Sequence, residues 1–307
     1  MMDRPRTKIL VVKKGALGDV LRTTPVLKVL QGEVTWVTSE AAAPLLAGNP
    51  LINRLYCKEH DNDTLFEERF DVVVNLEDEL PAATLASKIK TTSLIGAYVR
   101  DGRVVYTDSA SEWFDMSLIS RFGKKRADEL KMNNHRTYQD FLFSMVGSRF
   151  QGEEYLLDLP LQKSPIPGLV GLEVRAGDVW PMKRWNKFEA LAHRLKGAGF
   201  QVRTFQQRDQ LRDYVNDINE CEFIVCGDTL AMHIGLALRK KVIAIFTCTS
   251  PHEIYHYQRM IKIVSPLWKE YFYRRDFEPA PAEAVSVESV FDAVMSMSNL
   301  RLPRPLG

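Results

Sequence analysis

The sequence predicts an α/β chain built from two doubly wound, Rossmann-like halves. Short apolar runs such as residues 9–12, 71–76 and 242–246 lack polar alternation, the mark of strands covered on both faces. Helical patterns separate these runs, and strand–helix alternation implies a parallel sheet. Around residues 159–168, Pro160, Pro165 and Pro167 disfavour any regular element, and the alternation restarts beyond them. A length of 307 residues is long for one core and comfortable for two.

In the first half, residues 9–12 form a strand and 20–30 a helix. Residues 34–37 are a strand, 41–47 a short helix, 71–76 a strand and 81–89 a helix. The middle is less regular, with an irregular strand pair within 102–107 and helices over 113–119 and 138–146. In the second half, strands are expected at 169–174, 202–205, 223–225, 242–246 and 261–264. Helices are expected at 187–197, 211–218 and 232–238, and after Pro279 and Pro281 an amphipathic helix spans 287–297. The implied organisation is a first domain over 1–160, a second over 161–282, and a closing helix and tail over 283–307.

Composition narrows the function classes. A formal net charge of +2 argues against a dedicated nucleic-acid binder. No apolar run approaches the ~20 residues needed to span a bilayer. The apolar stretch near the N-terminus is too short for a signal-peptide core and is interrupted by Lys13 and Lys14, so a cytoplasmic protein is expected. Cys57, Cys221, Cys226 and Cys248 lack a Cys-x-x-Cys pair and read as reduced structural thiols.

The most informative stretch is Gly15-Ala16-Leu17-Gly18-Asp19-Val20-Leu21-Arg22-Thr23-Thr24-Pro25, which joins the first strand to the first helix. Glycines at such a turn let backbone N–H groups approach a ligand. The third glycine of a dinucleotide fingerprint is missing, and no Gly-Lys-Ser/Thr of a P-loop follows. Asp19 also has a plain reading as a helix cap. The stretch resembles the opening motif of the lipopolysaccharide heptosyltransferases, glycosyltransferase family 9. That resemblance implies the glycosyltransferase-B architecture, in which two Rossmann-like domains face a ligand cleft. It also implies that Asp19 is the catalytic base and that Gly18, Thr23 and Thr24 lie on the acceptor side.

The second half carries the resemblance separately. Lys183-Arg184-Trp185, with Phe188 following, is similar to the family's Lys-basic-Trp segment, whose lysine meets the donor diphosphate. A fixed ammonium there stabilises the charge gained by a departing nucleoside diphosphate. Asp228, Thr229 and His233 match a further family segment at a strand-to-helix turn suited to phosphate. Leu230 stands where the family has glycine, and Thr247 where the next strand leads into another glycine. Arg184, Gln206, Gln207, Asp228, Thr229, Leu230 and His233 are thus expected to line the donor site, with Gln206 and Gln207 positioned to meet ribose or base.

Other charged stretches have two readings each. Asp61-Asn62-Asp63 matches an Asp-x-Asp metal motif but lies in a polar stretch and reads as a solvated loop. Glu77-Asp78-Glu79 follows a strand and could hold Mg²⁺ through oxygen ligands, although the family needs no metal. Arg121, Lys124, Lys125 and Arg126 form either a solvated turn or a patch for the phosphates of a lipid-linked acceptor. The expected function is an inverting, metal-independent and cofactor-free glycosyltransferase. It would move a heptose or related sugar from a nucleotide donor, ADP-linked by resemblance, to a glycan or lipid-linked acceptor such as lipopolysaccharide core, at the inner membrane surface. The alternatives are a non-catalytic paralogue that binds or assembles, or a nucleotide-sugar 2-epimerase-like enzyme.

Overall fold

The computed structural model describes residues 7–57 and 62–298. It divides into two compact units, residues 1–159 and 160–307. In the first unit, β1 (Lys8–Val12), β2 (Glu33–Val37), β3 (Arg54–Tyr56), β4 (Arg69–Asn75), β5 (Lys90–Arg100) and β6 (Arg103–Tyr106) form one sheet in the order β3-β2-β1-β4-β5-β6. All neighbours are parallel except β5 and β6. Ile9 and Val11 pack on one face with Val20, while Leu10 and Val12 pack on the other with Ala82 and Ala86. Both faces of β1 are covered, which accounts for its unbroken apolar run.

In the second unit, β7 (Leu169–Glu173), β8 (Gln201–Thr204), β9 (Phe223–Gly227), β10 (Lys241–Phe246) and β11 (Met260–Val264) run wholly parallel in the order β11-β10-β9-β7-β8. The helix Val287–Ser298 buries Val290, Ala293, Val294 and Met297 in a core shared with Leu191 and Leu195 of the helix Phe188–Gly197. After β7 the chain adds β8 on one side and then β9 on the other, so the strand order reverses beside β7. In open α/β sheets, ligands bind beyond the strand C-termini at such a reversal. The α/β class and the two parallel-sheet units agree with the sequence expectation.

Several elements differ from expectation. The helix expected over 20–30 is an α-helix over Leu17–Thr23 followed by a 3₁₀ turn over Thr24–Lys28. Pro25 has no N–H to continue an α-helical ladder, and the tighter turn forms in its place. The helix expected over 113–119 covers only Ser111–Phe114, and the charged stretch after it forms an unexpected helix, Lys124–Met132. Residues 103–106 return along β5 through Asp101 and Gly102, at φ 51° and 73°. Positive φ at both positions is what a two-residue hairpin loop with a type I′ turn demands, and Asp-Gly supplies it. The helix Asn62–Glu67 begins inside the stretch read as a solvated loop, while Asp61 lies outside the described residues.

Candidate functional site

In the first unit, the loop after β1 is tied down by one carboxylate. Glu77 Oε1 accepts from the backbone N–H of Lys14 at 2.6 Å and of Gly15 at 2.7 Å, and from Lys13 Nζ at 3.1 Å. Asn75, fully buried at the end of β4, donates to the Glu77 and Ala97 carbonyls and accepts from the Glu77 N–H. Glu77 is therefore a loop anchor. Its engagement with an ammonium and two amides weighs against the Mg²⁺ alternative for Glu77-Asp78-Glu79. Among the described residues no group of acids, histidines and cysteines could hold a metal ion.

Asp19 lies in the first turn of its helix without capping it; Ala16 is the N-cap and no side-chain cap bond forms. The Asp19 carboxylate instead meets Arg22 Nη2 at 2.9 Å and stays about one-third exposed. Arg22 in turn stacks over the Tyr138 ring, 4.1 Å from its centroid. Burial pushes the Lys13 ammonium down, but Asp19 and Glu77 more than offset this, so its pKa lies above the ordinary value. Ala16 sits at φ 32°, a conformation L residues resist.

Thr23 and Thr24 have no exposed surface. Thr23 Oγ1 donates to the Asp19 carbonyl at 2.7 Å and pairs with the Tyr138 hydroxyl at 2.8 Å. Thr24 Oγ1 donates to Leu21 O and accepts from Leu156 N. These threonines brace the turn and do not present themselves to an acceptor, which corrects that expectation. Gly18 is half-buried within the same helix. The basic cluster is also spent on neighbours: Arg121 pairs with Asp115 at 3.1 Å, Lys124 with Asp128 at 2.6 Å and Arg126 with Glu129 at 3.1 Å. The last two are helix-face pairs at i,i+4 and i,i+3, so the solvated reading is the better supported. Lys125 is exposed on the same helix.

In the second unit, chemistry gathers beyond β9 and β10. Lys183 Nζ lies 2.9 Å from Asp228 Oδ2, and Thr249 Oγ1 donates to the same oxygen at 2.8 Å. Burial alone would raise the Asp228 carboxyl. The Lys183 and His233 charges and the bonds from Lys183 and Thr249 outweigh it and hold the group well below the usual carboxylate range. His233 is buried on the helix Leu230–Ala237, whose N-cap is Thr229. Thr229 Oγ1 is buried at the mouth of that helix, beside the Cys226 thiol.

Backbone packing fixes where Lys183 stands. A Cβ on Gly227 would lie 2.3 Å from the Lys183 carbonyl, so only glycine admits this approach. Thr247 Oγ1 donates to the adjacent Met182 carbonyl. Trp185 is buried, packs edge-on against Phe188 and donates to Val285 O at 3.2 Å. Thr247, at a glycine position of the related motif, thus serves as a strut for the lysine segment. Leu230, the other departure, opens a regular helix and has no positive φ, so the backbone here needs no glycine. Arg184 lines a cavity of about 380 Å³ with Trp185, Phe188 and Phe277.

A third group was not foreseen from the sequence. Glu173, buried at the end of β7, receives Arg175 Nε at 2.8 Å and Nη2 at 2.7 Å. The Tyr214 hydroxyl donates to the same carboxylate, and burial with this charge pushes the phenol far up. Arg175 Nη1 donates to Gln207 Oε1 at 2.8 Å, whereas Gln206 bonds only back to Thr204 O at 3.4 Å. A polar residue in the middle of Leu-Glu-Val-Arg, after an apolar strand, was the available signal.

Comparison with known proteins gives this arrangement a setting. Residues 208–276, which include Asp228, Thr229, Leu230 and His233, match the family model described as Glycosyltransferase family 9 (heptosyltransferase). The chain is similar to family 9. Its resemblance extends through the fold of solved structures over nearly the whole chain. A family 9 glycosyl transferase from Veillonella parvula superposes with a TM-score of 0.66 at 19% identity, covering 97% of this chain and 98% of that one. E. coli ADP-heptose lps heptosyltransferase II gives 0.65 at 16% identity, covering 95% and 98%. E. coli heptosyltransferase WaaC, solved with ADP-2-deoxy-2-fluoro heptose, gives 0.63 at 14% identity, covering 94% and 99%. No curated protein matches by sequence. Among the described residues no helix is long and apolar enough to cross a membrane.

Proposed function

We propose that this chain is an inverting glycosyltransferase that moves a heptose or related sugar from an ADP-linked donor to a hydroxyl of a glycan or glycolipid, such as lipopolysaccharide core. The observation that carries the reading is the Lys183–Asp228–Thr249 cluster beyond β9 and β10, beside the open N-terminus of the helix Leu230–Ala237. It lies in a fold that the E. coli enzyme solved with an ADP-heptose analogue shares. Asp228 keeps the ammonium at the sheet edge, where helix N–H groups also point. Both favour the negative charge that grows on a departing diphosphate. Lys183 and the helix thereby supply the positive charge that a cation gives elsewhere, and no metal step is needed.

Asp19 is the general base of this reading. It would take the proton from the acceptor hydroxyl as that oxygen attacks the anomeric carbon. The neighbouring Arg22, 2.9 Å away, orients it. The retained Asp19 and Lys183 favour a transferase over a non-catalytic paralogue, and no observation favours an epimerase.

The test is calorimetric titration with ADP, UDP and GDP, followed by turnover of ADP-heptose with a truncated lipopolysaccharide acceptor. Preferential ADP binding and acceptor-dependent ADP release are expected. Failure of all three nucleotides to bind would overturn the proposal, and sugar conversion without acceptor would favour an epimerase. Excess EDTA should leave turnover intact.

A further inference from the structure

We infer that Arg175 is an anion-recognising residue of the donor site, held in place by Glu173, Tyr214 and Gln207, and that it takes a phosphate oxygen of a nucleoside diphosphate. The inference rests on the donor reading above and adds to it a residue on a different strand.

The argument begins with placement. β7 and β9 are neighbours, and Glu173 is register partner to Cys226. Arg175 lies two residues past Glu173, as Asp228 lies two residues past Cys226. The two sites therefore share one edge of the sheet on adjacent strands, at the point where the strand order reverses. The Cys226 thiol, buried between them, feels both Glu173 and Asp228.

The geometry of the guanidinium is the second part. Glu173 is 4% exposed, and its carboxylate takes Nε and Nη2 of Arg175 as a fork. Gln207 takes one hydrogen of Nη1. The Tyr214 ring lies 5.7 Å from the guanidinium carbon. These bonds use three of the five N–H donors, and about a third of the side chain remains open to solvent. The result is a planar cation fixed by two strand ends, with its outer edge at Nη1 left open to solvent beyond Gln207. That is the preorganised form in which arginine binds phosphate, and lysine cannot reproduce it. A buried carboxylate whose only task was to neutralise a surface arginine would be a costly choice. A surface arginine already held by Glu173 gains a purpose if its outer edge meets a ligand.

The test is titration of ADP and adenosine into wild type, Arg175→Ala, Arg175→Lys and Glu173→Gln, with thermal melts as a folding control. Arg175→Ala and Arg175→Lys should both weaken ADP binding about tenfold or more, since a charge-assisted contact is lost in each. Adenosine binding should hardly change. Glu173→Gln should weaken ADP less, by loosening the guanidinium. Folded Arg175→Ala with wild-type ADP affinity would overturn the inference while leaving the donor reading standing on Lys183. An equal loss for ADP and adenosine would overturn it in favour of a base or ribose contact. Wild type that binds no nucleotide would overturn both.

Discussion

At the scale of single residues, the base proposal is sharply testable because Asp19 is not a cap. A capping aspartate tolerates asparagine well, but here the cap position belongs to Ala16 and the carboxylate faces Arg22. Asp19→Asn should therefore fold and bind ADP like wild type, yet lose roughly a hundredfold in turnover, the usual scale for a general base. Steady-state kinetics beside calorimetry checks this, and near-normal turnover by Asp19→Asn would refute the role. Glu77 makes a second case. Glu77→Gln keeps the shape but removes the charge facing a buried ammonium, and breaking one side of such a pair costs about 3–5 kcal/mol. A clearly lower melting temperature with a loosened Asp19 turn is expected. An unchanged melt would mean that Lys13 is satisfied by Asp19 alone.

The elements tell how much could be read in advance. Strands buried on both faces were legible because both faces demand apolar residues, and all of β7, β9 and β10 is buried. The turn contexts of Asp19, Lys183 and Asp228 marked them as candidates; the structure pairs Lys183 with Asp228 and sets Asp19 in the first turn of its helix. The helix Lys124–Met132 was hidden because only Ala127 is buried, so it carries almost no hydrophobic periodicity. Its charges left a solvated turn and a phosphate patch both open, and the structure pairs Lys124 with Asp128 and Arg126 with Glu129 along the helix. Thr247 and Leu230 stood out as departures from the glycines of the related motif. One braces the lysine segment across sequence distance, a contact no local pattern reveals, and the other sits in ordinary helix. Gly227 belongs at this scale too. Gly227→Ala should push the Lys183 segment off the end of β9, costing about 1–3 kcal/mol as overpacking does and weakening ADP binding. A melt combined with titration checks it; wild-type values in both would show that the close approach is not needed. Thr247→Gly should weaken the same segment more mildly.

For the whole molecule, the acid limb of stability follows from Asp228. Its folded pKa lies below the ordinary 3.8, so its ion pair contributes stability above that value. The contribution is lost as pH falls toward the folded pKa. Lys13 runs the other way: its pKa is raised from 10.5, so its contribution is present below that value and lost as pH climbs past it. Melting temperatures across pH should fall at both ends, and Asp228→Asn should flatten the acid side. An unaltered acid limb in that variant would assign acid unfolding to other carboxylates.

Among the described residues, each sheet keeps its strand pairing on its own side of the boundary between residues 159 and 160. A gene crossover there would exchange one sheet without unpicking the other. The second unit thus carries a complete sheet and its own Lys183–Asp228–Thr249 cluster, a portable module that recombination could lend to a new first half.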